Sequence, residues 1–226
     1  MAREKFEQEL QRLREDILTL GAMAERAVAE SVQALKRRDR AWAQRLMDND
    51  RLINEKRYSI ENDTLTIIAT QQPMAGDLRS LAAVFEIATE LERIADYAKG
   101  AAHVTLLLSE GPLVKPLEDI PRMADKVCDM LHRALDAFMQ QDVNEARRIP
   151  PEDDEVDMLY SRTFRELITI TISNSQTTEQ ANLLARVAHN LERAADRVGN
   201  ICERVVFSVT GRGEELDGTL PRWTNE

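Results

Sequence analysis

The chain has 226 residues, 43% of them apolar and 31% charged, with a formal net charge of −10. That length allows one or two domains with a sizeable core, and the acidic balance argues against non-specific nucleic-acid binding, which needs a basic surface. The longest apolar runs, such as residues 104–108, are far too short to span a bilayer, and the N-terminus has no apolar signal core, so a cytoplasmic protein is expected.

Ala, Leu, Glu and Arg dominate, and Gly and Pro are few and clustered, a composition that favours helix throughout. The first helix carries apolar residues at Phe6, Leu10, Leu13, Ile17, Leu20, Ala24, Ala27 and Leu35, with a lapse at Ser31. Steps alternating between three and four residues describe a bundle seam, about 45 Å long at 1.5 Å per residue. Asp39 is placed to cap a second helix, from about Arg40 to Gln72, which Pro73 stops. Asp77 is placed to cap a third, from about Leu78 to Ser109. Gly111, Pro112 and Pro116 form the one convincing linker.

The pattern then restarts. Ile120, Met123, Val127, Leu131, Ala134 and Phe138 make a fourth stripe, and Asp142 stands where Asp39 stood in the first half. A fifth helix follows to about Asn174, interrupted by Pro150 and Pro151. A helix interior tolerates proline poorly, so a short helix to Arg148, a break and a restart near Pro151 are expected. Thr177 and Gln180 suggest a capping box before the sixth helix, which ends at Gly211. The reading is all-α: two tandem three-helix bundles produced by an internal duplication with pseudo-twofold character, residues 1–111 and 112–210, followed by a flexible tail, 211–226, whose Trp223 is free to dock. Cys128 and Cys202, the only cysteines, read as reduced, buried small hydrophobes.

The duplication is sharpest in one phrase. Residues 91–96 and 191–196 both read Leu-Glu-Arg-x-Ala-Asp. Glu92 and Asp96, and likewise Glu192 and Asp196, fall four apart, so each pair of carboxylates leaves one side of a helix. Like charges at that spacing are mildly unfavourable in an isolated helix. Helices two and five answer with Asp50 and Asn54, and with Asp153 and Asp157, again at i,i+4. Folding helices two and three about Pro73 brings Asn54 level with Glu92, and Asp50 level with Asp96. Folding about the turn after Asn174 does the same for Asp157 with Glu192 and Asp153 with Asp196. Each repeat therefore converges four oxygen-bearing side chains at the rim of its core. His189 and Asn200 are further candidates in the second repeat, whereas His103 and His132 show no partner pattern.

Two readings of these clusters compete. In one, Arg93 pairs with Asp96 and Arg193 with Asp196 as ordinary surface salt bridges, and the chain is a metal-free interaction module with an acidic face. In the other, each cluster binds hard divalent or trivalent cations, which oxygen-only donors suit. A catalytic reading is thin. The chain has no Gly-rich phosphate loop, no nucleophile elbow and no inward Glu-x-x-His motif of a di-iron bundle.

At these residues the chain resembles the PhoU family of phosphate-signalling regulators. The likeness covers residues 6–209 and rests on both Leu-Glu-Arg-x-Ala-Asp phrases, on Asp50/Asn54 and Asp153/Asp157 in their helices, on residues 72–79 (Gln-Pro-Met-Ala-Gly-Asp-Leu-Arg) and on Phe164-Arg-Glu-Leu167. The resemblance implies two spectrin-like three-helix bundles, a homodimer and a cytoplasmic location. It implies metal, iron foremost, with manganese, magnesium, zinc and calcium as alternatives, held by Glu92, Asp96, Glu192 and Asp196 and completed by Asp50, Asn54, Asp153 and Asp157. It further implies a non-enzymatic negative regulator that links the ATPase subunit of the phosphate ABC transporter to a sensor histidine kinase. Tyr97 and Arg197 stand where the family commonly has His, and Gly100 where it has Asn, so the first repeat departs further than the second.

Overall fold

The computed structural model describes residues 2–109 and 111–216. Within them the chain is helical, with no strand: α1 (Ala2–Arg37), α2 (Arg40–Gln71), α3 (Ala75–Leu107), α4 (Asp119–Gln140), α5 (Val143–Arg148), α6 (Asp153–Ser173) and α7 (Thr178–Thr210). Short 3-10 turns, Pro150–Glu152 and Ser175–Thr177, precede α6 and α7. The expected six-helix plan holds if α5, its turn and α6 are counted as one interrupted helix.

The duplication extends to single dihedral angles. Arg38 and Gln141, at equivalent places, both adopt the left-handed conformation, with φ of 54° and 55°. The aspartate that follows each takes φ −84° and ψ 92°. Asp39 accepts from the Trp42 backbone N–H at 2.8 Å, and Asp142 from those of Asn144 and Glu145 at 2.9 and 3.1 Å. Each carboxylate thereby satisfies amides that the first turn of a helix leaves without intrahelical partners.

Two helix starts differ in detail from expectation, and a third, at the proline break, forms as expected. Asp77 does not cap α3; the N-cap is Met74 without a side-chain hydrogen bond, and Asp77 lies within the first turn, where its charge suits the helix dipole. The Thr177–Gln180 capping box is not formed, since Thr177 makes no side-chain cap. Gln180 instead accepts from the Val114 N–H and donates to the Pro112 carbonyl, tying the inter-repeat linker to α7. At the proline break, Glu152 turns away from the start of α6 to pair with Lys126 (2.6 Å) and Arg133 (2.8 Å) of α4.

α1 and α4 bury the predicted stripes, including Ile17, Leu20 and Ala24, and Ile120, Met123 and Val127. The face of α1 is wider than its seam because Val28 and Val32 are also buried and α1 packs on α4 as well as on α2 and α3. The lapse at Ser31 is satisfied internally, its hydroxyl donating to the Val28 carbonyl at 2.8 Å. The two bundles are joined along α3 and α7, the most extensive helix pair, and one continuous core runs from Phe6 to Val206. α2 and α6 lie outermost, each against the central helix of its own half.

Past Gly211, which ends α7 with φ 73°, the chain turns back along the second bundle. Glu214 pairs with Arg147 at 2.8 Å, the Leu216 N–H donates to Glu203, and Leu216 packs on the core. Residues 217–226, Trp223 among them, lie outside the described residues.

Candidate functional site

The duplicated acids sit where α2 faces α3 and where α6 faces α7. In the first repeat Asp50 is buried, with Asn54 one turn on; its amide donates to Asp50 Oδ2 at 3.1 Å. From α3, Glu92 and Asp96 are within electrostatic reach of Asp50 and of each other. Burial, then the neighbouring carboxylates, raise both carboxyls above their ordinary values.

A cation already stands among them. Lys99 Nζ donates to Asp50 Oδ2 at 2.7 Å and lies 4.0 Å from Asp96 Oδ1. The expected Arg93–Asp96 pair is replaced by this one. Arg57, three residues past Asn54, adds a further favourable charge near Glu92 while pairing with Glu61.

The second repeat repeats the scaffold with a different charge balance. Glu192 and Asp196 are more enclosed, with side-chain exposures of 17% and 11% against 53% for Asp96. Asp157 is half-buried and close enough to act on Glu192, and Asp153 begins α6. Burial raises the Glu192 carboxyl first, then the charge of Asp196, with Asp157 adding to it and His189 opposing. Glu192 Oε2 is enclosed and accepts no hydrogen bond; His189 Nδ1 stands 3.4 Å away. Tyr160 of α6 stands beside His189, ring centroids 6.1 Å apart, its phenol raised by burial and by the Glu192 charge. The Arg193–Asp196 pair expected of a plain salt bridge is present at 2.6 Å. Asn200 is diverted, donating to Glu90 across the α3–α7 seam at 3.2 Å.

Among the described residues, no three His, Cys, Asp or Glu side chains lie close enough as arranged to hold a metal ion. The two clusters nevertheless differ as hosts. The second brings carboxylates from α6 and α7 together, with Glu192 Oε2 enclosed and without a hydrogen bond and Asp196 paired with Arg193. The first is occupied by the ammonium of its own lysine.

Known proteins share this arrangement of two repeats. The PhoU domain profile matches residues 17–105 and 120–205, one match for each bundle. The chain belongs to the PhoU family. It is 33% identical over 218 residues to a phosphate-specific transport system accessory protein PhoU homolog of Clostridium acetobutylicum, covering 96% of this chain and 100% of that protein. It is also 33% identical to the PhoU of Escherichia coli, covering 96% and 92%. The crystal structure of PhoU from Pseudomonas aeruginosa superposes with a TM-score of 0.87 at 30% identity, over 92% of this chain and all of that one. The phosphate transport system regulatory protein PhoU from Streptococcus pneumoniae gives 0.86 at 28% identity, over 92% and 99%.

Three departures from the PhoU pattern acquire physical roles. Arg197, in place of His, lies 3.5 Å from Glu90 on the opposite bundle. Tyr97, likewise in place of His, lies close enough to Arg193 to favour its charge. Gly100 makes room for Asn190, whose amide nitrogen comes within 2.6 Å of where a Cβ would stand. All three serve the seam between the bundles. Sequence reasoning missed Lys99 and Tyr160. Lys99 was discoverable, because it lies three residues past Asp96 and seven past Glu92, on the same helix face. Tyr160 had no such signal, since only the packing of α6 on α7 brings it to Glu192. His132 gains Glu25 of α1 through packing, 3.7 Å away, and has Asp136 at 3.7 Å by i,i+4 spacing on its own helix, a pair the sequence reading also missed.

Proposed function

We propose that this chain is a cytoplasmic, non-enzymatic regulator of phosphate uptake that binds the ATPase subunit of a phosphate ABC transporter and a sensor histidine kinase. In this reading it represses the phosphate response when phosphate is plentiful and works as a homodimer. The observation that carries it is the match of both repeats, over nearly the whole chain, to phosphate-specific transport accessory proteins. The helical scaffold supports an adaptor. Among the described residues no helix is long and apolar enough to cross a membrane.

The second cluster is the proposed metal centre. Asp153, Asp157, Glu192 and Asp196 would hold a hard divalent or trivalent cation, iron foremost, with His189 at the margin. Bound there, the ion supplies positive charge that holds α6 and α7 together through their carboxylates. The protein's own part is to enclose Glu192, keep Tyr160 and His189 beside it, and hand Asp196 over from Arg193. That exchange would free Arg193, which also contacts Tyr97 of the first bundle, so occupancy would be felt across the seam.

Two experiments test the reading. Deleting the gene should raise phosphate import and derepress phosphate-responsive genes under phosphate excess; unchanged import and expression would sink the regulatory role. In the purified protein, Glu192→Gln with Asp196→Asn should lower affinity for manganese at least about tenfold. Equal binding by wild type and variant would leave the metal-free interaction module, with Arg193–Asp196 as a plain ion pair, as the better account.

A further inference from the structure

The two halves share a scaffold but not a charge balance, and beside Arg57 near Glu92 and His189 near Glu192 two further positions differ. Where the first repeat has Asn54 and Lys99, the second has Asp157 and Gly199. Thus the first cluster holds three carboxylates and an ammonium, and the second four carboxylates with a buried glycine as the counterpart of the lysine. Lys99 is well seated: its Nζ lies 2.7 Å from the buried Asp50 and 4.0 Å from Asp96, and its charge acts on Glu92 as well. An ion entering between Asp50 and Asp96 would meet that ammonium.

We propose that Lys99 is the built-in cation of the first repeat, taking the place an ion would occupy, so that this half needs no metal and its duplicate alone is open to one. The placement of the second ion rests on the functional reading above; the claim about Lys99 does not. A carboxylate as buried as Asp50 needs a compensating charge in every folded molecule. A lysine supplies it whatever the metal supply. The first bundle would then stay equally firm with and without metal, and any metal-dependent change would be confined to α6, α7 and the seam they share with α3.

The test is bound metal per chain, measured on full-length protein stripped with chelator and re-equilibrated with manganese. Glu192→Gln/Asp196→Asn closes the second cluster and should leave no bound manganese. Adding Lys99→Met to that background should restore bound manganese, lost again on adding Glu92→Gln, whereas Lys99→Arg should not. The Lys99→Met protein should also melt roughly 5 °C lower than its parent without metal and recover with manganese. Lys99→Gln, which keeps the stem and a hydrogen-bond donor, stands in should the Met variant fail to fold. Failure of the uncharged variant to gain manganese overturns the inference. So does manganese retained by the double variant while Lys99 is intact. Wild type that binds none, beside a Lys99→Met protein that binds, would sink the second metal centre and leave Lys99 in its role.

Discussion

Three carboxyl groups of the two clusters are shifted in a direction opposite to that of an ordinary ion pair. Glu92, Asp96 and Glu192 are all raised, first by burial. The folded chain therefore holds their protons more tightly than the unfolded chain does, and they oppose folding at neutral pH. Their penalty is relieved as pH falls through the raised values toward about 4, the ordinary carboxyl range. Asp119 behaves conversely: the Arg162 hydrogen bond holds its carboxyl down, so its stabilisation is present above its unfolded value and is lost as pH falls through the lower folded one. Metal-free protein should thus gain thermal stability between pH 7 and about 5 and lose it below about 4. Glu192→Gln should flatten the gain, and a melting temperature that falls steadily from pH 7 would contradict this account. The two cysteines stay outside this chemistry, since burial pushes both thiols up to about 12 and neither is in a disulfide. Of the residue-scale features, the carboxylate pairs were legible because i,i+4 spacing alone sets their direction. Lys99 was legible in principle by the same rule. Glu192's enclosure was not, because it depends on Tyr160 from another helix.

Helix starts and helix crossings decide how the side chains are delivered. The paired turns at Arg38–Asp39 and Gln141–Asp142 set where α2 and α5 begin, and hence the height of Asp50 on α2. Asp39→Ala and Asp142→Ala should each cost about 1 kcal/mol by denaturant titration, as an N-cap carboxylate does when removed. The glycines at the crossings should diverge. At Gly21, between α1 and α4, an added Cβ would meet Leu135 Cδ1 at 2.2 Å, and Leu135 is only 4% exposed. Overpacking there should cost about 1–3 kcal/mol and outweigh alanine's helix preference of about 1 kcal/mol. At Gly100 the obstacle is the end of the half-buried Asn190 side chain, which can turn away, so Gly100→Ala should be neutral or slightly stabilising. Equal losses at both sites would show that seam spacing, and not the neighbour's freedom to move, sets the penalty. Proline at 150 and 151 announced the break before α6, since its ring and missing N–H forbid an ordinary turn there. The roles of Glu152 and Gln180 were hidden, because each reaches a partner on a different helix or linker.

Across the whole molecule, α3 and α7 make one object of two repeats. Glu90 receives Arg197 and Asn200 from the opposite half, Glu86 receives Arg204, and the apolar core passes between the bundles without a gap. Thermal unfolding should therefore be a single transition, with calorimetric and van't Hoff enthalpies in agreement. A fragment holding residues 112–216 alone should expose the α7 face that now meets α3, and fail to give a cooperative melt. Two separated transitions in the intact chain would mean that the seam is weaker than its continuous packing implies.

Apolar spacing, the two proline breaks and a phrase written twice were enough to give an all-α chain of two equivalent three-helix halves, with acids paired at each rim. These are local properties, fixed by a period of 3.6 residues and by what a proline ring forbids. Arg193–Asp196 follows from spacing on one helix, but which charge answers buried Asp50 was decided only when α2 met α3. A buried carboxylate takes whatever cation the neighbouring helix brings within reach. In the first half that is Lys99; in the second, the equivalent Gly199 is buried and brings no charge, and Arg193 pairs with Asp196.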